Sequence, residues 1–240
     1  MQNPLITRRH WLFSACCAGL GAAITPVKAA ETINSTMIDT EPYPGNAIEA
    51  LARLKSGNQR FVEEKPRHIH ENASWRSMLV EGQKPFVTVV GCSDSRVPPE
   101  LIFDVGFGDL FTIRLAGNII AEDVIGSLQY AVAHLHTPLV VILGHEGCGA
   151  VAATMEEILH KTKELKHIES LIQSIKPGLK QLDLKLEHDV LMRAAVEANV
   201  RWSMQELLAL PEAKLAIKEK RVSLVGAVYE LNSGRVRFLD

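Results

Sequence analysis

Two short apolar runs constrain this chain more than anything else in it. Phe86-Val87-Thr88-Val89-Val90 follows Pro85 and leads into Gly91-Cys92-Ser93-Asp94-Ser95-Arg96. Leu139-Val140-Val141-Ile142-Leu143 follows Pro138 and leads into Gly144-His145-Glu146-Gly147-Cys148-Gly149. Both runs are short, rich in β-formers and bounded by Pro before and Gly after, which favours buried strand over helix. Beyond His145 the pattern turns helical, so His145 and Cys148 fall where a strand gives way to a helix. In open α/β sheets the crevice at the carboxyl ends of the strands is where ligands bind.

The rest of the chain alternates in the same way, which predicts an α/β fold. The expected architecture is an open, mostly parallel central sheet flanked by helices, with an N-terminal helical arm. Ala47, Leu51, Leu54, Phe61 and Val62 predict an amphipathic helix from Asn46, weakened near Ser56-Gly57. A second helix is expected around residues 74–81. Pro98-Pro99 reads as a helix start, residues 109–114 as a strand, and residues 123–135 as a helix. Residues 156–210 are helix-rich and charged, with a break at Lys176-Pro177-Gly178. Residues 222–229 read as a strand, Asn232-Ser233-Gly234 as a turn and residues 235–239 as a short return strand.

If the two runs are neighbours in a parallel sheet, their loops meet and offer Cys92, Asp94, His145 and Cys148 to one point. Zinc takes thiolate, imidazole and carboxylate ligands in a tetrahedron. Two other readings of the cysteines stand beside this one. A free thiol packs as a small hydrophobe in a core, and a pair of thiols can form a disulfide. Both cysteines sit in Gly-flanked polar loops next to a His and an Asp, which favours the metal. Asp94 and Arg96 are read either as a loop ion pair or, beside a metal, as a working dyad.

The pair Cys92-Ser93-Asp94-Ser95-Arg96 and Gly144-His145-Glu146-Gly147-Cys148-Gly149-Ala150 resembles the Cys-x-Asp-x-Arg and His-x-x-Cys motifs of the β-class carbonic anhydrases. The resemblance runs from about Ala50 to the C-terminus and includes Ala116-Gly117-Asn118 and the Tyr130-Ala131-Val132 helix. It implies one zinc per chain, held by Cys92, His145 and Cys148, with Asp94 as a fourth ligand only in a closed state. It implies reversible hydration of carbon dioxide to bicarbonate and a proton, since zinc lowers the pKa of a bound water to about 7. Asp94 and Arg96 become the catalytic dyad. Gln83, Phe111, Ala116, Tyr130 and Gly149 take substrate-side positions, with Phe111 and Tyr130 contributed across a dimer interface. Ordinary core packing is the other reading of Phe111 and Tyr130. The implied assembly is a homodimer or a dimer of dimers. Family members with an inhibitory bicarbonate pocket carry Trp three residues before the first Cys; here Val89 stands there, although Arg114 is present and Tyr229 is a candidate, so an open site is expected. His68, His70, His134, His136 and His160 are unassigned and read as surface or linker residues. Two rival readings are a carbonyl sulfide or carbon disulfide hydrolase on the same scaffold and a non-catalytic zinc-binding protein.

The N-terminus reads separately. Arg8-Arg9 precede an apolar, small-residue stretch from Trp11 to Ile24, and Val27-Lys28-Ala29 offers a cleavage site. This layout is that of an export signal and resembles a twin-arginine signal. The expected division is a cleavable signal at 1–29, a flexible leader at 30–44 and the catalytic domain at 45–240, with a periplasmic destination reached through the twin-arginine machinery. Cleavage removes three basic residues and no acidic one, so 26 basic against 28 acidic residues become 23 against 28. That balance gives no reason to expect nucleic acid as a partner, and no permanent membrane anchor is expected. Cleavage also removes Cys16 and Cys17, leaving Cys92 and Cys148 as the only thiols.

Overall fold

In the computed structural model, which describes residues 42–239, one five-stranded sheet has the order β2-β1-β3-β4-β5. β1 (Val87–Gly91), β2 (Leu110–Arg114), β3 (Leu139–His145) and β4 (Ser223–Tyr229) run parallel, and β5 (Val236–Phe238) returns antiparallel along β4. The mostly parallel α/β architecture is therefore as expected. Every residue of β1 and β3 is buried. Because successive side chains point to opposite faces, both faces of these central strands must be covered, as parallel sheets require.

The strand order creates the binding crevice. From β1 the chain moves to one side to build β2, then crosses to the other side of β1 to build β3. Such a reversal opens a gap beyond the carboxyl ends of the two diverging strands. Gly91 pairs in register with Leu143, so Cys92, one residue on, lies beside the Gly144-His145 end of β3.

Eight α-helices surround the sheet among the described residues: α1 (Ala47–Val62), α2 (Ala73–Met78), α3 (Pro99–Ile102), α4 (Glu122–Ala133), α5 (Gly149–His160), α6 (Lys166–Ile175), α7 (His188–Ala209) and α8 (Pro211–Lys218). Asn46 caps α1 by accepting the N–H groups of Ile48 and Glu49. The break expected at Lys176-Pro177-Gly178 is a 3₁₀ turn, Lys176–Leu179. The helix expected at 123–135 ends at Ala133, and the chain leaves through His136 at φ +56° before Pro138.

Gly57 does not weaken α1. A Cβ there would lie 1.8 Å from the carbonyl oxygen of Phe103, so glycine is what lets the helix approach the loop after α3. The next residue, Asn58, is buried and stitches three segments together. Its Nδ2 donates to the carbonyls of Ile102 (3.1 Å) and Gly234 (2.8 Å), and its Oδ1 accepts the N–H of Val236 at 2.8 Å.

His70 differs from its expected surface position. It is buried, stacked on Trp75 with ring centroids 3.7 Å apart, and its Nδ1 is 2.9 Å from both carboxylate oxygens of buried Asp109. Periodicity missed it because it lies in an irregular segment between α1 and α2. Residues 1–41, which include the export-type signal and most of the leader, lie outside the described residues. The leader's last residues are docked: Pro44 is buried, and Tyr43 meets the Phe86 ring edge-on and donates to the carbonyl of Lys84.

Candidate metal centre

The end of β1 delivers Cys92, the end of β3 delivers His145, and Cys148 forms the N-cap of α5. All three are buried, and their ligand atoms lie within 4.8 Å of one another. The thiols are free, which sets aside the disulfide reading. His145 Nδ1 donates to the carbonyl of Glu146 at 2.8 Å, a bond that fixes the tautomer and leaves the Nε2 lone pair available. Nε2 is buried and has no hydrogen-bond partner. A buried acceptor left so, facing two thiols, is what a metal ligand looks like without its metal. Two sulfurs and one imidazole nitrogen form a donor set suited to zinc, and three protein ligands leave a fourth position open.

Cys92 is pulled below the usual thiol range, chiefly by the neighbouring Cys148, against the cost of burial, and with help from His145 and the N–H of Gly117. Cys148 is pushed up because its proton is held by Cys92 and because it is buried. A metal ligand sulfur must be deprotonated, so binding a cation at this cluster releases protons.

Asp94 lies beside this cluster and is gripped by Arg96. Its Oδ1 accepts both the backbone N–H and Nε of Arg96 at 2.9 Å, and its Oδ2 accepts Nη2 at 2.8 Å. This two-pronged pairing holds the Asp94 carboxyl well below the usual range. Asp94 Oδ2 is 3.9 Å from His145 Nε2, so the carboxylate borders the ligand cluster while turned towards the arginine. Arg96 Nη2 also donates to the carbonyl of Gly147 at 3.1 Å, tying the first loop to the second.

Two supports of the site have no signal in residue spacing. Arg114, at the end of neighbouring β2, donates from Nε to the carbonyl of Cys92 at 2.9 Å and from Nη2 to the carbonyl of Asp94. The first loop is therefore held from outside by one guanidinium. The N–H of Gly117 donates to Cys92 Sγ at 3.3 Å. Gly117 has φ +71°, a conformation that favours glycine, and a Cβ there would press on Ile175 Cδ1 at 2.7 Å and Ala150 Cβ at 3.1 Å.

The expected substrate-side residues are scattered over one chain. Gly149 opens α5 with open space where a Cβ would stand, and Ala116 begins the 3₁₀ turn that contains Gly117. Phe111 and Tyr130 come together, with ring centroids 6.1 Å apart, in a surface recess shared with Glu122, Asp123, Gly126 and Ser127. Tyr130 is 47% exposed, which removes it from the core. None of the three metal-ligand candidates lines that recess, and Gln83 is exposed in the segment before β1. Val89 is fully buried in the sheet core.

Comparison with known proteins agrees with this geometry. The family model described as carbonic anhydrase matches residues 87–236. Carbonic anhydrase 2 of Mycobacterium tuberculosis is 36% identical over 200 residues, covering 81% of this chain and 94% of the relative. The solved β-carbonic anhydrase CcaA superimposes with a TM-score of 0.65 at 28% identity, covering 79% of this chain and 87% of that one. A tetrameric β-carbonic anhydrase of Sordaria macrospora gives a TM-score of 0.64 at 26% identity, covering 77% and 93%. With a sheet order that opens the crevice, a convergent Cys-His-Cys cluster and these relatives, the chain belongs to the carbonic anhydrase family, in its β class.

Proposed function

We propose that this chain catalyses the reversible hydration of carbon dioxide to bicarbonate and a proton, with one zinc ion held by Cys92, His145 and Cys148. The observation that carries the reading is the buried, unpartnered His145 Nε2 facing two thiols beside an arginine-locked carboxylate. When bound, zinc supplies a Lewis acid that makes hydroxide available from water near neutral pH. The chain's own residues do the rest. An ionised carboxylate can only accept hydrogen bonds, so Asp94 accepts one from the O–H of the attacking oxygen, without taking its proton, and turns that oxygen's lone pair towards carbon. The new C–O bond forms as one C=O π pair moves onto oxygen, and the released proton leaves to solvent. Arg96 keeps Asp94 ionised and, through Gly147, keeps it turned away from the ligand cluster. A storage protein needs ligands but not this dyad.

Gln83, Phe111, Ala116, Tyr130 and Gly149 are proposed as substrate-side residues, with Phe111 and Tyr130 acting on the site of a second copy. The exposed recess lined by Phe111 and Tyr130 supports a homodimer or a dimer of dimers, as does the tetrameric Sordaria relative. Export to the periplasm by the twin-arginine route is proposed on the Arg8-Arg9 signal layout. No helix among the described residues is long and apolar enough to cross a membrane.

The test is stopped-flow hydration of carbon dioxide with metal analysis of the same sample. The expected result is one zinc per chain and activity lost with the metal on Cys148→Ser. Unchanged zinc content in that variant overturns the ligand set, and zinc-loaded wild-type protein without hydration overturns the activity.

A further inference from the structure

α7 is a long helix whose buried face is unexpectedly polar where it passes behind the metal centre. Asn199 and Ser203, one helical turn apart, are 1% and 0% exposed. Both reach the 3₁₀ turn Ala116–Asn118. Asn199 Nδ2 donates to the carbonyl of Gly117 at 2.8 Å, and Ser203 Oγ donates to the carbonyl of Asn118 at 3.0 Å. The turn so held has two successive residues with positive φ, Gly117 at +71° and Asn118 at +46°. Its other outward group is the Gly117 N–H that donates to Cys92 Sγ. A continuous path of two hydrogen bonds therefore joins the side chain of Asn199 to the Cys92 sulfur on another element, through a single residue.

Asn199 is poorly explained as a device for stability. Its Oδ1 is buried without a hydrogen-bond partner, and an unmade buried hydrogen bond is costly. A helix facing a core does better with an apolar side chain. What asparagine supplies that leucine cannot is one donor aimed at the Gly117 carbonyl.

We propose that Asn199 is a positioning residue of the metal centre, holding the Gly117 backbone by its carbonyl so that the N–H of the same residue stays on Cys92 Sγ. This rests on the reading of Cys92 as a metal ligand. A hydrogen bond to a thiolate withdraws charge from sulfur and favours the deprotonated form. Partners at this remove commonly change metal affinity by about 10- to 100-fold when lost. Asn199 acts through the backbone of Gly117 rather than directly, which puts its effect near the lower figure.

The experiment compares wild type with Asn199→Leu, which keeps the branching at Cγ, and Asn199→Ala, which cannot overpack. Each folded full-length protein is loaded with zinc and challenged with excess chelator, and each is separately loaded with cobalt(II) to record the thiolate-to-cobalt charge-transfer band. The expected result is zinc released about ten-fold faster and a displaced band in both variants, with a thermal midpoint in Asn199→Leu close to wild type. Release and band unchanged in either folded variant overturn the proposal. So does failure of both variants to fold, because the contact would then serve the fold and not the ligand. A wild-type protein that takes up neither metal sinks the metal-centre reading instead.

Discussion

The dyad at Asp94 and Arg96 makes the sharpest demand on the structure. In Asp94→Asn the side chain keeps one oxygen, which can still accept the Arg96 backbone N–H and Nε where Oδ1 now does, at 2.9 Å. The amide nitrogen then stands where Oδ2 accepts Nη2 at 2.8 Å, so a donor faces a donor and the pairing opens. The variant loses the negative charge and the fixed acceptor that orients the attacking oxygen, while all three metal ligands remain. Positioned proton-accepting groups are typically worth about 100- to 10,000-fold in rate, which is about 2.7–5.4 kcal/mol of barrier. Arg96→Ala fails differently. It frees an intact carboxylate whose Oδ2 already lies 3.9 Å from His145 Nε2, so a small rotation brings it onto the metal and closes the site. That variant is expected to be slow and yet to hold zinc at least as firmly as wild type against a chelator, whereas Asp94→Asn gains no ligand. In the double variant the losses combine less than additively, because both act through one pair. Stopped-flow rates on samples of equal zinc content decide the matter. Near-normal hydration by zinc-loaded Asp94→Asn reduces the dyad to a loop ion pair and refutes the mechanism.

The remaining predictions concern stability, pH and export. Asn58→Leu removes three hydrogen bonds that join α1 to the end of α3, to the turn at Gly234 and to the start of β5. It should cost about 3–5 kcal/mol, read from denaturant midpoints, and a loss under 1 kcal/mol contradicts that role. Glu206 is pushed up to about 7 by burial, so the folded state holds its proton more tightly than the unfolded one. Its relative contribution is complete below about pH 4.5 and is lost as pH rises through 7, so Glu206→Gln should gain about 1 kcal/mol at pH 8, after allowance for solvent exposure, and nothing at pH 4; parallel pH curves for the two proteins dispose of this. Replacing both Arg8 and Arg9 by Lys should strand the precursor in the cytoplasm, and normal periplasmic yield of that variant argues for a general secretory route.

The parts of this protein legible in its sequence are those whose physics is local. Burial on both faces writes β1 and β3 as unbroken apolar runs, and metal chemistry demands Cys92, His145 and Cys148 whatever surrounds them. Asp94 and Arg96, two residues apart, could be paired from spacing alone. The tertiary structure decided what depends on segments that meet from far along the chain. Only the strand order brings Cys92 beside His145 and seats Arg114 on the carbonyls of the first loop. Gly57 read as a weak point in α1 because propensity counts backbone freedom and is blind to the Phe103 carbonyl that excludes a side chain there. His70 and Asp109, 39 positions apart, are unremarkable in a string of letters and form a buried pair in the fold. Asn199 lies 82 positions from Gly117, and its meaning exists only where α7 crosses behind the turn. Local patterning records which face a residue must bury. It does not record which partner waits on that face, because the partner is chosen by chain crossings whose cost and geometry belong to the whole sheet.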